Sequence, residues 1–183
     1  NRKIKELGLN NQLGNSEAQE IVKYIKDQEN EGFSYENATA SFELVVKKFL
    51  PNYEPPFELI DFVVLVENRS KSNGNLLCEA TVKVKVKNSI VHTASEGNGP
   101  VNALNNALIK ALSPSYPKIH SLRLTDYNVR VIDQSSATEA SVRVAIETAD
   151  DKDVWRTVGC SANILEASWM ALSDSLEWYL IFK

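Results

Sequence analysis

Polar and apolar positions alternate most plainly in the middle of the chain. In EATVKVKV, Ala80, Val82, Val84 and Val86 interleave with Thr81, Lys83, Lys85 and Lys87. This period of two predicts a strand with one face in a core and a basic face in water. Asn88 and Ser89 supply a short turn, and Ile90 to Ala94 read as the returning strand. Closer to the N-terminus the period is helical. NSEAQEIVKYIKDQENE, Asn15 to Glu31, places Ala18, Ile21, Val22 and Ile25 on one face of a charged segment. Ser16 with Gln19 resembles a capping box, and Gly32 is a stop signal. A second helix carries Ala38, Phe42, Val45, Val46, Phe49 and Leu50 and ends at Pro51. Two helices with one apolar face each are not stable alone, so they must dock on each other or on a partner.

The later two thirds of the chain repeat themselves. VHTASEGNGPVNALNNAL, from Val91, matches WRTVGCSANILEASWMAL, from Trp155, at an offset of 64 residues (155 minus 91). Thr93 meets Thr157, Ala107 meets Ala171 and Leu108 meets Leu172. Upstream, EATVKV from Glu79 meets EASVRV from Glu139 at an offset of 60 (139 minus 79). The difference of four is assigned to an insertion in the second hairpin, around ADDKD, where added residues cost least. Earlier still, LIDFVVLV from Leu59 faces LTDYNVRV from Leu124. Each unit reads strand, strand, strand, helix. The prediction is an α+β fold of two pseudo-symmetric βββα units, residues 57–113 and 118–183, within a domain of residues 53–183. A helical linker subdomain, residues 1–52, precedes it.

The duplication makes two strand-to-helix turns equivalent, Gly97 to Pro100 and Gly159 to Asn163. The first, in EGNGPVNALNNAL, is not a dinucleotide fingerprint, because GxGxxG would need Gly where Asn102 stands and the turn follows an antiparallel strand. One reading is an ordinary helix start, with Pro100 in the first turn and glycines at a tight corner. The other is a helix N-terminus whose free N–H groups and dipole attract a small anion such as an amino acid carboxylate. The twin turn, with Asn163 and Glu166 as a capping box, doubles that opportunity.

Other chemistry is thin. The only histidines, His92 and His120, have no neighbour at ligand spacing, which argues against a metal site or a His-based nucleophile. Glu79, Glu96 and Asp126 are separate carboxylates. Cys78 and Cys160 match no CxxC or zinc spacing and read as small buried residues of a reduced, cytoplasmic protein without a secretory leader. The Lys83, Lys85 and Lys87 stripe has no aromatic interleaving and reads as a solvated face. The C-terminal helix, ILEASWMALSDSLEWYLIFK, is apolar over a wider arc than one sheet face needs, so an oligomer contact is attractive.

With 183 residues, 43% of them hydrophobic, the chain has apolar content for a globular core. Its 20 Lys and Arg against 24 Asp and Glu, net -4, give no general pull toward nucleic acid or anionic membrane. No apolar run approaches the roughly 20 residues that span a bilayer. A chain that opens on Asn1 inside an amphipathic-looking segment suggests part of something longer.

The phrases EGNGPVNALNNAL, LTDYNVRVID, TEASVRVAIET, WRTVGCSANILEASWMALSDSLEW and GFSYENATASFELVVKKFLPNYEPPFELIDF resemble the C-terminal part of the α-isopropylmalate synthase and citramalate synthase family. ASFEL, PPFELIDF and SANILEASW look closest to the citramalate branch. The resemblance implies a region that forms a homodimer and binds the end-product amino acid, isoleucine for citramalate synthase or leucine for 2-isopropylmalate synthase. It implies a separate TIM barrel, holding a divalent metal, that condenses acetyl-CoA with a 2-oxo acid; this segment itself needs no cofactor. The family's effector pocket maps onto Gly97, Gly99, Val101 and Asn102, onto Leu124, Tyr127 and Val131, onto Thr138 and Val142, and onto Ala162, Asn163 and Ile164. A dimerisation module with no ligand is the alternative of another class.

Overall fold

The computed structural model describes residues 14–68, 76–132 and 140–183. The elements in chain order are helices α1 (Asn15–Asn30) and α2 (Thr39–Lys48), strands β1 (Phe57–Asn68), β2 (Leu76–Val86) and β3 (Ser89–Gly97), and helix α3 (Pro100–Leu112). A 3₁₀ turn (Pro117–Ser121) leads into β4 (Arg123–Ile132), β5 (Ser141–Ala149), β6 (Val154–Ser161) and helix α4 (Ile164–Phe182). This is the α+β arrangement of two βββα units, each an antiparallel three-stranded sheet followed by a helix.

The chain forms two compact units. One is Pro55–Leu122, the first βββα repeat. The other joins the described residues up to Glu54 with Arg123–Lys183, so α1 and α2 belong with the second repeat.

In the first repeat the order is β1-β2-β3, and α3 lies over β3 and β2 with little cover for β1. The alternation in β2 is met: Ala80, Val82, Val84 and Val86 are buried, while Lys85 and Lys87 face water. Ala103, Leu104, Ala107, Leu108, Ala111 and Leu112 form the buried face of α3. Thr93 Oγ1 ties β3 to the helix by donating to the Ala107 carbonyl at 2.8 Å.

The second repeat copies this plan, down to Thr157 Oγ1 donating to the Ala171 carbonyl at 2.7 Å. Its register corrects the sequence alignment. Cys78 pairs with Gly97, and Val142 pairs with Ser161. The first partners are thus 64 apart (142 minus 78), as are the second (161 minus 97). No insertion sits in the second hairpin: the Asp150 N–H bonds the Asp153 carbonyl at 3.0 Å, closing the turn where Val86 faces Ser89 in the first repeat. EATVKV and EASVRV are alike but are not structural equivalents. A slip of four residues is even, so it keeps every apolar side chain on its own face, and alternation alone cannot detect it.

One irregularity is shared. In β1 the pairing skips Ile60, between Leu59 opposite Val84 and Asp61 opposite Lys83. In β4 it skips Thr125, between Leu124 opposite Thr148 and Asp126 opposite Glu147. Each bulge lets Leu59 and Phe62, or Leu124 and Tyr127, share one face although they are three residues apart.

The two N-terminal helices dock on each other and on the second repeat, as their amphipathic pattern requires. Ile21, Tyr35, Ala38, Phe42, Val45 and Val46 cluster with Val158 of β6. The α1 cap differs from expectation: the helix begins two residues earlier, with Gly14 rather than Ser16 before it, and Gly14 N–H is met by Glu17 Oε2 at 2.8 Å rather than by a Ser16–Gln19 box. The chain leaves α1 through Glu31 and Gly32; the φ of 111° at Gly32 suits glycine, and its missing Cβ leaves room for Cys160 Sγ and Ile132 Cδ1, each of which would lie 2.9 Å from one.

α4 uses its broad apolar arc within its own unit. One flank lies on β5 and β6, where Trp155 stacks on Tyr179 at 5.4 Å and Trp169 is buried. The other meets α2 through polar groups. Ser41 Oγ donates to Asp174 at 2.8 Å and accepts the free-edge N–H of Val158 at 3.0 Å. Lys48 reaches Asp174 at 3.3 Å and Glu177 at 3.2 Å, and Tyr53 donates to Glu177.

Candidate regulatory site

The expected effector residues fall in two groups, one in each compact unit. In the first unit, Gly97 ends β3 against the start of α3. A Cβ there would lie 2.3 Å from the Ala103 nitrogen, so only glycine allows this approach. Gly99 is the residue before the helix, extended at φ -166°, with open space where a Cβ would point. No side chain caps α3. Asn102 Oδ1 accepts instead from Asn98 N–H at 3.1 Å, outside the helix, and Val101 is half-buried. The N–H groups of the first helical turn are therefore left for water or a ligand.

In the second unit the twin turn is closed. Asn163 Oδ1 accepts from Leu165 N–H at 2.8 Å. Glu166 does not complete the expected box; it accepts from Ser161 Oγ at 2.5 Å, and that hydroxyl accepts Asn163 N–H at 3.1 Å. A carboxylate already stands at this helix start. The two turns, equivalent by duplication, have diverged, and only that of α3 offers unfilled donors to an anion.

The remaining residues lie on the face of the β4–β5–β6 sheet that carries α4. Leu124, Tyr127 and Val131 of β4 and Val142 of β5 share this face, with Val131 opposite Val142 and Val142 opposite Ser161. That row leads into Ala162, Asn163 and Ile164, all exposed. Leu124 stands seven residues from Val131, roughly 20 Å along a strand, so it belongs to the far end of the strip. Thr138 lies outside the described residues. Because α4 covers β6 and β5 but not β4, an apolar strip stays open: Leu124 is 39% exposed, Val129 38% and Val131 67%. Tyr127 bridges strip and helix, its hydroxyl 2.9 Å from Ser168 Oγ, which donates to the Ile164 carbonyl at 2.6 Å. The first repeat has Phe62 and Leu104 at these two places, so the polar bridge is peculiar to the second.

The other candidates are structural. Cys78 and Cys160 are buried free thiols, and burial pushes Cys160 up, away from thiolate reactivity. Among the described residues no group of three or more His, Cys, Asp or Glu is arranged to hold a metal. No described helix is long and apolar enough to cross a membrane.

The described residues thus form a duplicated βββα fold with an uncapped helix start in one repeat and an open apolar strip, bridged to a helix, in the other. Residues 36–180 match the family model described as the LeuA allosteric (dimerisation) domain, and the chain belongs to that family. It is 48% identical over 161 residues to an (R)-citramalate synthase of Geobacter sulfurreducens, covering 88% of this chain and 30% of the relative. It is 42% identical over 179 residues to the (R)-citramalate synthase of Aquifex aeolicus, covering 98% and 34%. A 2-isopropylmalate synthase of Aquifex aeolicus is 27% identical over 185 residues, covering 100% and 32%. The chain thus spans about a third of the length of these relatives.

Proposed function

We propose that this chain is the regulatory and dimerising region of a cytoplasmic citramalate synthase, and that it binds isoleucine as a feedback effector. The observation that carries the reading is the gap in identity, 48 and 42% to relatives named for citramalate synthesis against 27% to one named for isopropylmalate synthesis. The condensation of acetyl-CoA with pyruvate, and its divalent metal, belong to a catalytic barrel outside these 183 residues.

Each compact unit carries one feature that suits an amino acid effector. The α3 start offers N–H donors to a carboxylate, and the strip of Tyr127, Val131 and Val142 offers an apolar wall to a branched side chain. Feedback follows if isoleucine prefers a less active arrangement of the whole enzyme, because a ligand moves an equilibrium only through differential affinity. Isothermal calorimetry of this chain with isoleucine, leucine and valine tests the reading. Isoleucine is expected to bind most tightly. Tighter leucine binding would move the assignment to 2-isopropylmalate synthase, and no heat with any of the three would leave a ligand-free dimerisation module.

A further inference from the structure

Ser168 lies one turn into α4 and is 0% exposed. A serine hydroxyl has one hydrogen to give and two lone pairs with which to accept. The hydrogen of Ser168 goes to the Ile164 carbonyl at 2.6 Å, because a carbonyl oxygen can only accept. This gives the 2.9 Å contact between the two hydroxyls a direction: Tyr127 donates and Ser168 accepts. The one hydroxyl hydrogen of Tyr127 is therefore used inside the protein. What Tyr127 offers the apolar strip is its ring, and the donated bond restrains that ring about its side-chain torsions.

The duplication separates what the fold requires from what it does not. Thr93 and Thr157 tie the third strand of each repeat to the helix after it, at 2.8 and 2.7 Å, so that link belongs to the shared plan. The Tyr127–Ser168 bond does not, since Phe62 and Leu104 stand in those places and neither carries a hydroxyl. Leu104 is as fully buried as Ser168, so an apolar pair fills the same positions. Burying hydroxyls costs desolvation that an apolar pair avoids, and the bond they make is directional where apolar packing is not. Both partners of Ser168, the Tyr127 hydroxyl on β4 and the Ile164 carbonyl at the α4 start, belong to residues of the expected effector group.

We infer that Ser168 is a positioning residue of the effector site, a role that rests on the isoleucine reading above and deepens it. Fully buried, Ser168 acts through Tyr127: it fixes the ring relative to the α4 start and so sets the room left for a branched side chain. A wall held in place can tell side chains apart by a single methylene, a difference of roughly tenfold or more, whereas a wall free to move adapts to both.

Isoleucine and valine differ by that one methylene, and calorimetry with each tests the role. The natural chain is expected to prefer isoleucine by about tenfold or more, and Ser168→Ala to cut the preference to about threefold or less. The control is Ser175→Ala, which removes a second buried hydroxyl of α4, one that meets Trp155 Nε1 at 2.9 Å and Thr148 Oγ1 at 2.7 Å. It lies seven residues further along the helix, roughly 10 Å away, and its loss is expected to lower the melting temperature while the preference stays. Ser168→Ala combined with Tyr127→Phe should lose no more affinity than the weaker binder of the two single variants, because either one already breaks the bond. An undiminished preference in Ser168→Ala, an equal fall in Ser175→Ala, or losses that multiply in the double variant would each overturn the positioning role and leave isoleucine binding standing. A natural chain that binds neither amino acid would overturn the isoleucine reading and this role with it.

Discussion

Gly97 and Gly99 are interchangeable to the eye in GNGP, yet the backbone uses them differently. Gly97 permits the strand to touch the first turn of α3, whereas Gly99 adopts a backbone open to any residue. Gly97→Ala should lower stability by about 2 kcal/mol or more, and Gly99→Ala by no more than about 0.5, as read from urea unfolding. Tyr127 makes a comparable point about side chains. Its hydroxyl links the strip to Ser168, so Tyr127→Phe should cost about 1 kcal/mol of stability. Tyr127→Ala should weaken isoleucine binding in calorimetry while sedimentation still shows a dimer; loss of the dimer would make the residue part of the assembly core. Spacing alone would have sent Leu124 and Tyr127 to opposite faces, and only the family resemblance grouped them.

Elements were legible where a single period governed them. β2 and the buried face of α3 follow directly from their apolar spacing, because burial on one side is all that shapes them. The match between repeats went astray at β5, since a slip by an even number of residues leaves the in-and-out pattern unchanged. The α2–α4 contact was invisible for a different reason: its polar partners, Ser41 with Asp174 and Lys48 with Asp174 and Glu177, lie more than 120 residues apart and carry no local motif. Burial raises the Asp174 carboxyl, with Lys48 and Ser41 opposing. A carboxyl whose pKa is raised by folding favours the folded state in its protonated form, most fully below the unfolded value of 3.8, and loses that contribution as pH rises through the raised value. Asparagine cannot titrate. The stability of the natural chain relative to Asp174→Asn should therefore increase as pH is lowered from 7 toward 4, which denaturant unfolding at the two pH values would show.

At the scale of the molecule, each repeat leaves its first strand under-covered. Leu59 and Val66, 38% and 50% exposed, occupy in β1 the places of Leu124 and Val131 in β4. Exposed apolar strips of this kind mark surfaces that another body covers. The double substitution Leu59→Asp and Val66→Asp should shift the chain toward monomer in sedimentation while circular dichroism stays native. A monomer in the unsubstituted chain would contradict the assembly role. The duplication, and with it the fold, could be read from the sequence because both copies keep the same turn and helix.

The paired bulges at Ile60 and Thr125 act on side chains as a one-letter insertion acts on a reading frame. Counted by strict alternation, everything downstream in the strand is turned over: Asp61 and Asp126 go out, Phe62 and Tyr127 go in. Removing Thr125 alone would take out the unpaired residue and straighten the strand, leaving Leu124, Tyr127, Val129 and Val131 on the α4 face and Asp126, Asn128 and Arg130 on the other. The extra letter is absorbed where it stands, and the two sides of the sheet keep their residues with or without it.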